Sequence, residues 1–170
     1  LTTAPQLAEL VERFLGLEPG ATIDLDALAT QVSEVRQLDA YSALWLHPVV
    51  TASGRVALAV GPSHYRFWHT TATCGTFGAA AGAAKLLRLN EDQFAWAIGS
   101  AGTQASGLWE FLGESAMSKQ LHTGKAAMNG LLSVLLAKEG FTGARRILEG
   151  EKGFFRATSQ DFDESKCIAD

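Results

Sequence analysis

Thr76-Phe77-Gly78-Ala79-Ala80-Ala81-Gly82-Ala83-Ala84-Lys85-Leu86-Leu87 is the stretch on which the fold turns. Alanine is the strongest helix former, so residues 76–87 read as a helix. Its side chains carry so little bulk that a second helix must lie close against it. The chain holds 27 alanines and 17 glycines, and this run shows their use. Downstream, Asn90 with Gln93 three residues later is a capping-box pattern, which predicts a helix to about Ala101. Leu108–Leu112 is a short apolar patch, and Gly113–Thr123 reads as a polar loop carrying Lys119 and His122. Gly124–Lys138 predicts a long helix that Gly140 ends, and Thr142 is positioned to cap a short one over Ala144–Leu148.

Upstream, Leu7–Leu15 and Asp24–Leu38 carry apolar residues at helical spacing. Tyr41–Leu46 is apolar, and His47-Pro48 is expected to break it, because the residue before proline is driven out of the helical region. Val49–Val60 reads as a short helix and Gly61-Pro62-Ser63 as a turn. No strand alternation and no internal repeat appears. The expected fold is an all-α bundle of six to eight helices. We expect one helical domain over residues 1–160, with 161–170 a tail or the start of a linker.

Composition narrows the function. Of 170 residues 47% are hydrophobic and 19% charged, and the net charge is −4, which argues against a nucleic-acid partner. No apolar run is long enough to span a membrane. The opening residues have no basic and apolar leader pattern, and two cysteines, Cys74 and Cys167, suit a reducing compartment. The expected location is therefore the cytoplasm, or the mitochondrial matrix in a eukaryote. Gly75–Gly82 lacks a preceding strand, which excludes a nucleotide loop. His64 and His69 have no nearby carboxylate, so no metal site is expected. Cys74 sits among alanines and reads as a buried, inert thiol.

Two clusters carry chemistry. His69 stands beside Thr70 and Thr71, ahead of the alanine-rich helix. Imidazole moves protons near neutral pH, and the hydroxyls of Thr70, Thr71 and Thr73 with free helix-start amides can bind a carboxylate. The plain alternative is a histidine packed among Tyr65, Phe67 and Trp68. The second cluster, Ser118-Lys119-Gln120-Leu121-His122-Thr123-Gly124-Lys125, holds two ammonium groups and an imidazole in eight residues. That mixture suits a substrate with several carboxylates; the plain alternative is a solvated loop.

From Gly61 to Ser159 the sequence resembles the MmgE/PrpD family. The resemblance rests on His69-Thr70-Thr71-Ala72-Thr73-Cys74-Gly75-Thr76-Phe77-Gly78, Gly99-Ser100-Ala101-Gly102-Thr103-Gln104-Ala105-Ser106-Gly107-Leu108, Met117-Ser118-Lys119-Gln120-Leu121-His122-Thr123-Gly124-Lys125, Glu139-Gly140-Phe141-Thr142-Gly143 and Gly153-Phe154-Phe155. The family includes 2-methylcitrate dehydratase, cis-aconitate decarboxylase and iminodisuccinate epimerase. The resemblance implies a large helical domain, a smaller α/β lid domain, an active site between them, a homodimer, and chemistry on small polycarboxylates without metal or other cofactor. By position, His69 matches a family histidine and is expected to act as acid or base. Lys119 matches the lysine of a Thr-Lys-x-Leu-His-x-Gly motif and is expected to hold a carboxylate or the charged transition state. His122 is the histidine of that motif.

Thr70 stands where the family has proline, and Ser118 where it has threonine. Leu46-His47-Pro48 resembles a family His-Pro motif, which adds His47 to the expected substrate contacts beside Thr70, Thr71 and Lys125. The resemblance places the lid domain after about Asp161. The resemblance thus implies a lyase, a dehydratase or decarboxylase, with an epimerase as the alternative. A non-catalytic helical dimerisation protein is the reading from another class.

Overall fold

The computed structural model describes residues 40–168, with side chains from residue 49 onward. The helices expected over Leu7–Leu15 and Asp24–Leu38, and the side chain of His47, lie outside the described residues. Five α-helices follow among the described residues: α1 (Ala40–Tyr65), α2 (Thr70–Leu86), α3 (Glu91–Gly102), α4 (Ser118–Lys138) and α5 (Phe154–Thr158). Short 3-10 helices occupy Trp109–Leu112 and Glu164–Cys167. The all-α expectation holds; the one extended pairing described is an antiparallel bridge between Trp68 and Leu108. Among the described residues no helix is long and apolar enough to cross a membrane.

The alanine-rich helix is central, as its smooth surface requires. Its first turn is earlier than expected, at Thr70 rather than Thr76. The threonines do not delay it because they turn their hydroxyls back onto the helix. Thr76 donates to the Ala72 carbonyl at 2.8 Å, and Thr73 reaches the His69 carbonyl at 3.4 Å. Against α1, the partners run in opposite order: Gly82 faces Val49, Gly78 faces Ser53, and Thr73 faces His64. The two helices are therefore antiparallel. A methyl group at Gly78 would overlap the Ser53 hydroxyl and the Val49 carbonyl. That fit holds the segment from Val49 onward helical, so Pro48 does not end α1 as expected.

The interruption falls at Gly61 instead, where φ is 69°. Only glycine adopts that conformation without strain. The expected turn at Gly61–Ser63 is thus a kink between two helical pieces. The Ser63 N–H freed by it donates to Asp161 Oδ1 at 3.1 Å, a cap supplied from far along the chain.

Against α4 the contacts advance in the same direction along both helices. His69 meets His122, Gly75 meets Ala126, and Ala79 and Ala80 meet Gly130. Helices α2 and α4 therefore run parallel. Helix α3 returns the chain between them: Gln93 Nε2 donates to the Lys138 carbonyl at 3.2 Å, and Gln104 Nε2 to Ser133 Oγ at 3.0 Å. The Asn90–Gln93 capping box forms as read.

Helix α4 starts at Ser118, one and a half turns before its expected start. Its first turns are exposed, so they carry no apolar periodicity to announce them. The short helix expected over Ala144–Leu148 is a series of turns. There the chain runs against the backbone of α3, with a methyl at Gly99 only 2.5 Å from Ala144 N.

The core joins Val60, Phe77, Ala80, Ala97, Ala101, Val134, Phe154 and Phe155, all 5% exposed or less. The polar stretch after Gly150 packs rather than trails. Phe154 meets Phe77 edge-on at 4.9 Å, Phe155 stacks on Phe162 at 5.9 Å, and Asp163 N–H donates to the Ala59 carbonyl at 2.7 Å.

At Gly130 an added Cβ would lie 2.5 Å from Ala79 Cβ and 2.7 Å from Ala80 N, on backbone that cannot step aside. Gly124, on the same helix, has nothing within 4 Å. Gly130→Ala should therefore cost about 1–3 kcal/mol. Gly124→Ala should stabilise by about 0.5–1 kcal/mol through helix propensity alone. Paired urea melts of the two variants check this; equal effects would contradict the close α2–α4 contact.

Candidate active site

Parallel helices put their N-termini at one end of the bundle, and the two sequence clusters meet there. His69 is the residue preceding α2, with extended backbone. His122 lies one turn into α4. Their rings face each other with Nδ1 to Nδ1 at 2.9 Å. One ring must donate and the other accept, since a bare nitrogen pair at that distance repels.

The loop between α3 and α4 completes the enclosure. His69 N–H donates to the Gly107 carbonyl at 2.9 Å, and Trp109 N–H to the Phe67 carbonyl at 3.1 Å. Gly107 has φ of 149°. A methyl there would overlap Ala72 and come within 3.3 Å of the His122 ring. Trp109 and Phe111 then cover His69, at ring-centre distances of 4.5 and 6.0 Å, and Phe111 meets His122 edge-on at 5.3 Å.

His69 keeps only 7% of its surface exposed. Burial holds its imidazole below the ordinary 6.5, and the nearness of the His122 ring and the Lys119 ammonium pushes it the same way. His69 is thus neutral at pH 7. Lys119, in the first turn of α4, is exposed and makes no ion pair among the described residues, so its ammonium is open to a ligand. The helix ends add to this charge: first-turn amides lack intrahelical partners, and both dipoles present their positive ends here.

The remaining expected residues divide. Thr70 is half-buried and Thr71 exposed at the head of α2. Thr73 is turned inward, its hydroxyl 2.9 Å from His64 Nε2, and is closed to any ligand. Lys125 Nζ donates to Ser106 Oγ, so that ammonium is engaged in holding the loop that carries Gly107. His64 is fully buried against Trp68 and Phe154. Burial lowers its pKa, with the Thr158 backbone pulling the other way. It is a core histidine. Cys74 is buried as read, and burial pushes its thiol up to about 12. Among the described residues no three His, Cys, Asp or Glu side chains come together as metal ligands.

Reading the residues for chemistry missed Gly107, Ser106, Trp109 and Phe111. The Gly99–Leu108 stretch carried the family resemblance, yet none of its residues bears a reactive group. The available signal was Gly107 itself, a glycine just ahead of an aromatic patch.

The MmgE/PrpD N-terminal domain matches residues 50–166. The cis-aconitate decarboxylase-like protein oryM of Aspergillus oryzae is 39% identical over 90 residues, covering 53% of this chain and 18% of its own length. The cis-aconitate decarboxylase of Aspergillus terreus is 40% identical over 88 residues, covering 52% of this chain and again 18% of the relative. Matched over most of its length by that helical domain, with its motifs folded into one site, the chain belongs to the MmgE/PrpD family.

Proposed function

We propose that this chain supplies the helical, proton-moving part of a lyase active site for a small polycarboxylate. The observation that carries the proposal is the Nδ1–Nδ1 contact of 2.9 Å between His69 and His122. When both imidazoles are neutral, this contact holds one proton between them and leaves one on an outer nitrogen. The ring donating at Nδ1 leaves its Nε2 lone pair bare, a base. The ring accepting at Nδ1 carries its proton on Nε2, an acid. The pair can therefore take a proton at one face of a substrate and return one at another.

Lys119 and the two helix N-termini supply the positive field. A carboxylate held there brings its neighbouring carbon toward the histidines. When a bond at that carbon breaks, the electron pair left behind is stabilised by the same ammonium. Decarboxylation is the reaction we favour: carbon dioxide leaves, the pair delocalises toward the remaining carboxyl group, and a histidine Nε2–H delivers the proton. The curated relatives bearing the cis-aconitate decarboxylase name support this choice over dehydration. An epimerase would use the same two nitrogens on opposite faces of one carbon. Thr70, Thr71 and His47 are proposed as further carboxylate contacts. Lys125 is proposed as a residue that positions the Gly107 loop.

The working form is proposed to be a homodimer in a reducing compartment, cytoplasm or mitochondrial matrix. On α4, Leu121, Met128, Leu131 and Leu132 recur at helical spacing on the face away from α2 and remain 38–64% exposed. Both cysteines are free thiols.

The chain should be assayed with cis-aconitate, 2-methylcitrate and iminodisuccinate, by turnover and by calorimetric binding. His69→Ala should reduce turnover about 10²-fold or more, and Lys119→Met should weaken carboxylate binding while lowering turnover about 10²-fold. Because burial holds the His69 pKa below 6.5, activity should decline as His69 takes up a proton at pH below that value. Neither turnover nor binding with any of the three acids would overturn the proposal. Sedimentation equilibrium should give twice the chain mass, and Leu132→Glu should give the monomer. A monomeric parent chain at high concentration would overturn the dimer.

A further inference from the structure

A cleft of about 250 Å³ opens where the turn after α1 meets α5. It is lined by Ser63, Arg66, Arg156, Thr158, Ser159 and Gln160 among others, and by neither His69, Lys119 nor His122. Arg66 and Arg156 line it from separate segments. Arg66 lies over the Phe67 ring at 5.3 Å, and Arg156 over the Phe162 ring at 5.6 Å. Those rings limit where the side chains can go but satisfy none of their N–H donors. Neither arginine makes an ion pair or a side-chain hydrogen bond among the described residues.

The other groups around the cleft are already committed. Thr158 donates to the Phe154 carbonyl at 2.7 Å, Ser159 to the Val60 carbonyl, and Ser63 to Asp161. The Asp161 carboxylate, the acid that follows this segment, accepts from the Ser63 N–H and the Ser63 hydroxyl. What remains unmet is the two guanidinium forks and the side-chain amide of Gln160, whose backbone N–H is taken by Ser63 Oγ. In a chain of net charge −4, that is a local excess of donors with no acceptor of its own. A compact, acceptor-only group with two or more oxygens answers it, because guanidinium pairs with such groups through two parallel N–H bonds.

We infer that this cleft is a binding site for an oxyanion, the phosphate or carboxylate group of a free small molecule, gripped by Arg66 and Arg156. The site does not depend on the proposed lyase chemistry. Arg66 also borders a shallow depression beside Trp109, so Arg156 gives the cleaner variant.

The test is titration of the whole chain with inorganic phosphate at fixed ionic strength, followed by arginine side-chain and backbone amide NMR signals. Saturable shifts are expected at Arg66, Arg156 and Gln160. Arg156→Gln and Arg66→Gln should each weaken phosphate at least tenfold while leaving the rest of the spectrum unchanged, which also verifies the fold. Shifts that rise without saturating, shifts centred on Lys119, or undiminished affinity in Arg156→Gln would overturn the inference.

Discussion

The contact that everything else depends on is the close approach of α2 and α4, backbone to backbone, over Gly130. Two helices can come this near only where side chains vanish, and alanine and glycine provide that along α2. Because the contacts advance in step, the helices are parallel. Parallel helices set their N-termini side by side, and the residues at those ends are His69 and, one turn in, His122. The spacing of the two imidazoles is therefore a consequence of helix packing rather than of the loops around them. A shift of one helix along the other would separate them.

The loop before α4 adds a second constraint. The Gly107 carbonyl fixes the His69 backbone, and the missing side chain of Gly107 leaves room for the His122 ring. Trp109 and Phe111 exclude water from the inner face, which holds His69 neutral. Lys119 is left exposed at the rim. The result is an apolar, proton-holding floor under a positively charged edge. The stretch matched to the curated relatives is only 18% of each of them.

Much of this was legible in the residues. The alanine-rich helix, the Asn90–Gln93 box and the buried Cys74 follow from local rules. The two clusters were visible as separate stretches, 53 residues apart at His69 and His122. Their meeting was not, because no local pattern states that α2 and α4 run parallel. The two helices start earlier than their sequences announce for different reasons: the first turns of α4 are exposed and carry no apolar periodicity, while the threonines of α2 bond their hydroxyls back onto the helix. Thr73 and Lys125 looked like ligand-binding groups by type. The structure commits them inward, Thr73 to His64 and Lys125 to Ser106. The persistence of α1 through Pro48 depends on glycines 78 and 82 of another helix, which no reading of the Val49–Val60 segment alone could supply.

The central claim is that helix packing makes His69 and His122 share one proton. The most direct measurement is long-range ¹H–¹⁵N NMR of the histidine rings, titrated from pH 8 to acid. The account predicts opposite tautomers for the two rings at neutral pH, one protonated at Nδ1 and one at Nε2, with His69 titrating below 6.5. Two Nε2-protonated rings, or a His69 pKa at or above 6.5, would contradict it.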